Sequence, residues 1–265
     1  MLETNLKSVN WIIPSKMNFR DILLCMKNLN SVFLTEHLSL YAENYTNLRS
    51  IVRIAKTMGM TVSIFTEKYH PIQYYKDLKA DGATNFVISV ETNHKNILHL
   101  EQVTDEVPVI LEIHPTIYMT LLDFINSINS LRLQDIVIQS EDYTRTKCLS
   151  RLSTSTLIKY PLLDFQVKHL EKNQRLFGLR NSECKKCHVM QNNITISEME
   201  VYPCFEYFKN RGNKIGMQFG EKTGIHIKAW FNEVNPLNNL ICKTNCHCFN
   251  MNANMEIENA NEIRP

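Results

Sequence analysis

Residues 47–66 read NLRSIVRIAKTMGMTVSIFT, and this stretch sets the fold class. In its first half Leu48, Ile51, Val52, Ile54 and Ala55 recur at the spacing of one helix face, and Gly59 supplies a stop. Its second half, Thr61–Thr66, is a short run rich in β-branched and aromatic residues. A helix that hands over to a strand within a few residues is half of a strand–helix repeat.

The alternation extends in both directions. Val9–Ile13, Val32–Thr35, Asn85–Val90, Pro108–Ile113 and Asp135–Ile138 read as further strands, with helices over Arg20–Leu29, Pro71–Lys79 and Ile117–Leu131. Parallel strands need right-handed crossovers, and about five or six units give an α/β fold with a partial parallel (β/α) barrel rather than a closed eight-unit one. A ligand then belongs at the carboxyl edge of the strands. Residues 1–150 are expected to form this barrel, 151–180 a connecting segment with a helix over Tyr160–Leu170, and 181–265 a small loop-rich domain organised by cysteines.

The composition is that of an ordinary globular chain, 44% hydrophobic and 21% charged. With 29 Lys plus Arg against 27 Asp plus Glu, the net charge of +2 gives no electrostatic case for a nucleic-acid or membrane-surface partner. Residues 1–10 lack the apolar run of a signal peptide, and no apolar stretch approaches the roughly 20 residues of a membrane span, so a cytoplasmic location is expected. The asparagine tract at Asn250, Asn252 and Asn254 reads as codon bias.

Six of the eight cysteines fall within 65 residues: Cys184, Cys187, Cys204, Cys242, Cys246 and Cys248. Their spacing is C-x2-C, a lone Cys after sixteen residues, then C-x3-C-x-C. In a reducing compartment such clustering points to metal ligation before disulfides. Tetrahedral zinc, with His188 or His247 replacing a thiolate, and an iron–sulfur cluster both suit the spacing. Cys25 falls on the apolar face of Arg20–Leu29 and reads as core, and Cys148 stands alone.

Two segments carry a resemblance to a known family. Ile194–Cys204, ending in Val-Tyr-Pro-Cys, together with Asn213-Lys-Ile-Gly216 and Ala229-Trp-Phe-Asn232, is similar to the SPASM-type C-terminal domain of radical SAM peptide maturases. Met199 stands where that family usually has a hairpin glycine. The N-terminal half is similar to the family's partial barrel, but the three cysteine positions of its cluster motif fall on Met17, Asp21 and Leu24. The cofactor-binding glycine motif after strand two falls on Glu36-His37-Leu38-Ser39, and the third-strand motif on Thr66-Glu67-Lys68.

The resemblance therefore implies a degenerate radical SAM barrel with a SPASM/twitch-like domain, as in the SPASM-domain protein of grasp-with-spasm peptide systems. It implies one [4Fe–4S] cluster, with zinc as the alternative, and no S-adenosylmethionine. Cys184, Cys187, Cys204 and Cys246 would be the ligands, with Cys242 and Cys248 in reserve or in a second partial site. The implied role is accessory, binding a precursor peptide or its ATP-grasp ligase without radical chemistry. The alternatives are a peptide-modifying redox enzyme using the cluster and a zinc-stapled scaffold.

Other chemistry is sparse. Glu112 and His114 share a strand face at the expected ligand edge and suit proton transfer, although Pro115 also fits a strand end that caps the next helix. His94 and His99 sit about 140° apart on a helix and are expected to be solvated. Ser153–Thr156 lacks a nucleophile elbow, and no phosphate-binding glycine loop occurs.

Overall fold

The computed structural model describes residues 6–42, 45–179, 185–216 and 218–262. It is an α/β fold with eight strands among the described residues, parallel in every described pairing except that of the last strand, which is antiparallel. The chain divides into two units, Met1–Val62 with Phe177–Pro265, and Ser63–Leu176.

In the first unit β1 (Ser8–Ile12) lies between β2 (His37–Tyr41) and β7 (Asn193–Ser197), parallel to both, and β8 (Glu200–Tyr202) returns antiparallel to β7. Val9 and Trp11 are fully buried on the face they share with Leu38, Leu40, Ile194 and Ile196. Helix α1 (Phe19–Ser31) buries Ile22, Cys25, Met26 and Leu29, so Cys25 is core as its helical position implies. Helix α2 (Leu48–Thr57) buries Leu48, Ile51, Val52 and Ala55, the face read from residues 47–58.

Strand two is displaced from its expected place. Val32 ends α1, its N–H donating to the Asn28 carbonyl, and Leu34 has φ 50°, which no strand accommodates. The strand is His37–Tyr41 instead, with Leu38 and Leu40 facing in. The hairpin between β7 and β8 turns on Glu198 and Met199, both left-handed at φ 49° and 68°, a two-residue turn of the kind that favours Asn and Gly. Met199 thus occupies a backbone site where glycine carries no steric cost.

In the second unit the order is β3 (Thr61–Thr66), β4 (Asn85–Glu91), β5 (Val109–His114), β6 (Asp135–Ile138), all parallel. Between them run α3 (Ile72–Asp81), α4 (His94–Thr104) and α5 (Leu121–Ile128). Thr120 caps α5, its hydroxyl accepting from the Asp123 N–H, and Leu121, Phe124, Ile125 and Ile128 form the buried stripe behind it. After α6 (Tyr143–Thr146), a 3-10 turn and α7 (Thr154–Lys159), α8 (Pro161–Glu171) starts with Pro161 at its first position. Fully buried Gln166 on α8 accepts from the Ile138 N–H at 2.8 Å and donates to the Ile138 carbonyl at 3.0 Å, satisfying the backbone of the edge strand β6.

The remaining helices are α9 (Val189–Asn192), α10 (Phe205–Lys209), α11 (Thr223–Glu233), α12 (Leu240–Asn245) and α13 (Cys248–Glu262). Among the described residues no helix is long and apolar enough to cross a membrane.

Candidate functional site

The first unit brings four thiols to one cavity. Cys187, Cys204, Cys242 and Cys246 line a space of ≈ 30 Å³ together with Leu179, Val189, Tyr207, Ile241 and other residues. Cys187, Cys204 and Cys242 lie at or next to helix N-termini, where backbone N–H groups lack helical partners and can serve sulfur instead, and Cys246 lies at the C-terminal end of α12.

Cys187 precedes α9 and receives hydrogen bonds from the Met190 and Val189 N–H groups and from Asn254, which offset part of the rise that burial imposes on its pKa. Its loop is fastened to α13 by two residues four apart on one helix face. The buried Asn254 carboxamide oxygen accepts from the Val189 N–H at 2.9 Å, and the Glu258 carboxylate accepts from the Lys185 and Lys186 N–H groups at 2.9 Å each.

Cys204 caps α10, its sulfur accepting from the Tyr207 N–H at 3.4 Å. Burial drives its thiol far up, and the neighbouring Cys187 and Cys242 add to the rise. Cys242 lies in the first turn of α12, under the cap made by Asn239, and is pushed up to about 12 by burial and then by Cys187. Cys246 ends α12. Its carbonyl accepts from the Gly178 N–H at 2.9 Å, while the Leu179 N–H donates to the Lys243 carbonyl at 2.9 Å. Gly178 is required here: φ is 94°, and a Cβ would come within 3.3 Å of the Lys243 carbonyl oxygen.

The mutual coupling of Cys187, Cys204 and Cys242 means that all three prefer the neutral thiol without a cation, and that a cation among them would relieve both causes. As they stand, however, no group of three or more His, Cys, Asp or Glu side chains among the described residues is placed to hold a metal ion. Of the six clustered cysteines, the four that line the cavity are Cys187, Cys204, Cys242 and Cys246. Cys248 is fully buried at the start of α13 with its sulfur 3.6 Å from His247 Nδ1, and it does not line the cavity. Cys184 lies outside the described residues. His188 sits beside Glu258, 3.9 Å away, and against the Phe231 ring, while His247 packs between Phe177 and Phe249.

Other residues singled out from the sequence are dispersed. Met17 and Asp21 line a separate cavity of ≈ 440 Å³ past the end of β1, with Glu198 and Met199 opposite them. Leu24 is 51% exposed on α1 and does not join them. Glu36–Ser39 do not follow strand two; His37–Tyr41 is that strand, so the proposed glycine-motif position falls inside the sheet. Thr66-Glu67-Lys68 does end β3. Cys148 is isolated, donating to the Arg145 carbonyl at 3.2 Å. His99 is half-buried rather than solvated, edge-on to the Tyr69 ring at 4.5 Å, and burial lowers its pKa. Glu112 accepts from Gln139, and His114 lies 2.8 Å from the Ser89 hydroxyl.

Sequence reasoning missed Asn254 and Glu258. Their four-residue spacing on the final helix was the available signal, hidden in a tract dismissed as codon bias.

Comparison with known proteins gives little. No family model matches the chain. No curated protein matches it. Among solved structures it is similar to the crystal structure of an HpcH/HpaI aldolase from Desulfitobacterium hafniense DCB-2, with a TM-score of 0.38 and 10% identity over 65% of this chain and 76% of that chain. The resemblance to radical SAM/SPASM proteins is withdrawn: no family model supports it, and the strand-two alignment it used is out of place. The assignments that depended on it go too, namely the degenerate maturase of a grasp-with-spasm system and its iron–sulfur domain, for which the described residues show no ready metal group.

Proposed function

We propose that the protein is a binding protein whose first unit is closed by a single thiophilic ion, zinc in the simplest case, held by Cys187, Cys204, Cys242 and Cys246. The observation that carries this reading is the convergence of four thiols, from three separated segments, on one cavity. The donor set suits a soft cation, and a space of ≈ 30 Å³ suits one ion better than a four-iron core. When bound, the ion would deprotonate the thiols and join the loop of Cys187, the start of α10 and both ends of α12. Closed four-thiolate sites have no open coordination position, so the ion would be structural.

The finer expectations join this proposal. They are a partial parallel barrel and a reducing cytoplasmic setting that keeps the thiols available.

The test is metal and sulfide analysis of protein purified without oxygen, beside a Cys187→Ser/Cys204→Ser variant. The reading expects about one zinc per chain, absent from the variant, and no labile sulfide. Iron with equimolar sulfide, or a metal content unchanged in the variant, would overturn it.

A further inference from the structure

Strands buried on both faces of a parallel sheet read as nearly continuous apolar runs. In the second unit, β4 (NFVISVE) and β5 (VILEIH) both depart from this at their carboxyl ends. The register sets Ser89 beside Glu112 and Glu91 beside His114, so these four side chains emerge on one sheet face at the carboxyl ends of the strands. The other face carries Phe86, Ile88 and Val90 beside Val109, Leu111 and Ile113, all buried. A polar row set by register against an apolar one departs from the rules of sheet stability, and such departures concentrate at functional sites.

That row meets a cavity of ≈ 500 Å³ lined by Glu67, Tyr69, Ser89, Glu91, Asn93 and His114 among others, at the edge where parallel sheets bind ligands. Its rim is built rather than loose. Fully buried Thr92 donates to the Met119 carbonyl at 3.0 Å and accepts from the Thr116 N–H at 2.9 Å, fixing the loop after β4 to the loop after β5. Asn93 caps α4. The Tyr69 ring is half exposed, and burial and then the charge of Glu91 raise the pKa of its phenol, so the ring edge and a carboxylate stand together.

We infer that this cavity binds a small organic cation, an amine or guanidine, between the carboxylates of Glu67 and Glu91, with the Tyr69 ring against its charged group and the Ser89–His114 pair on a polar substituent. An aromatic face beside carboxylates is the usual receptor for such a group. The site is independent of the thiol cavity, and it stands or falls separately from the metal reading.

The test is calorimetric titration of the full chain at low salt with agmatine and putrescine, and with glucose and acetate as neutral and anionic probes. Saturable binding of agmatine or putrescine, weakened roughly tenfold in Glu91→Gln and in Ser89→Ala, with glucose and acetate inert, is expected. Circular dichroism and thermal unfolding of each variant establish that it is folded, and Glu141→Gln, on the exposed loop after β6, should bind as the parent does. No saturation by either cation up to about 10 mM, equal affinity in Glu91→Gln, or preferential binding of glucose or acetate would each overturn the inference.

Discussion

In the first unit four thiols face a cavity of ≈ 30 Å³ walled by residues such as Leu179, Val189 and Ile241, whereas the second unit opens ≈ 500 Å³ lined by carboxylates, hydroxyls and a histidine. The thiols sit at helix ends, outside the regular hydrogen bonding of the sheet, while the polar row is part of the sheet itself. The contrast separates two ways of building a site. Soft donors in an apolar enclosure are inert until a cation arrives, because burial keeps them protonated. Polar groups placed by strand register need no such event, because the sheet already orients them.

The comparison breaks first at the cores beneath the two sites. Trp11→Ala in the first unit and Phe124→Ala in the second, both fully buried, should each cost about 3–5 kcal/mol in urea unfolding. Loss from Trp11→Ala alone of the thiol site's metal would tie that site to the sheet beneath it. Next is Asn254→Ala, which removes the acceptor of the Val189 N–H and a donor to Cys187 and should cost about 1–3 kcal/mol while lowering metal affinity. Binding at the second unit's cavity should not respond to it. The smallest effect is Thr120→Ala, which removes the α5 cap for about 1 kcal/mol with metal content unchanged.

The second unit was largely legible because its strands are dense β-branched runs: Thr61–Thr66 and Asp135–Ile138 fall where the sequence places them. In the first unit Val32–Thr35 misleads, since Val, Phe and Thr favour a strand while the backbone there is spent ending α1. The return of residues 193–197 to pair with β1 was not legible either, because a parallel partner so distant in sequence leaves no local signal. Of the six clustered cysteines, the four expected as ligands included Cys184, outside the described residues, and held Cys242 in reserve, although Cys242 lines the cavity with Cys187, Cys204 and Cys246 while Cys248 is buried beside His247. Asn254 carried the weakest signal, one more asparagine in an asparagine tract.

The central claim, that four thiols close on one ion, is tested most directly by adding cobalt(II) to metal-free protein and recording the absorption spectrum. Sulfur-to-cobalt charge transfer of four-thiolate intensity, falling by about a quarter in each of Cys187→Ser, Cys204→Ser, Cys242→Ser and Cys246→Ser, is the predicted result. A spectrum without thiolate charge transfer, or one that these four substitutions leave unchanged, would contradict it.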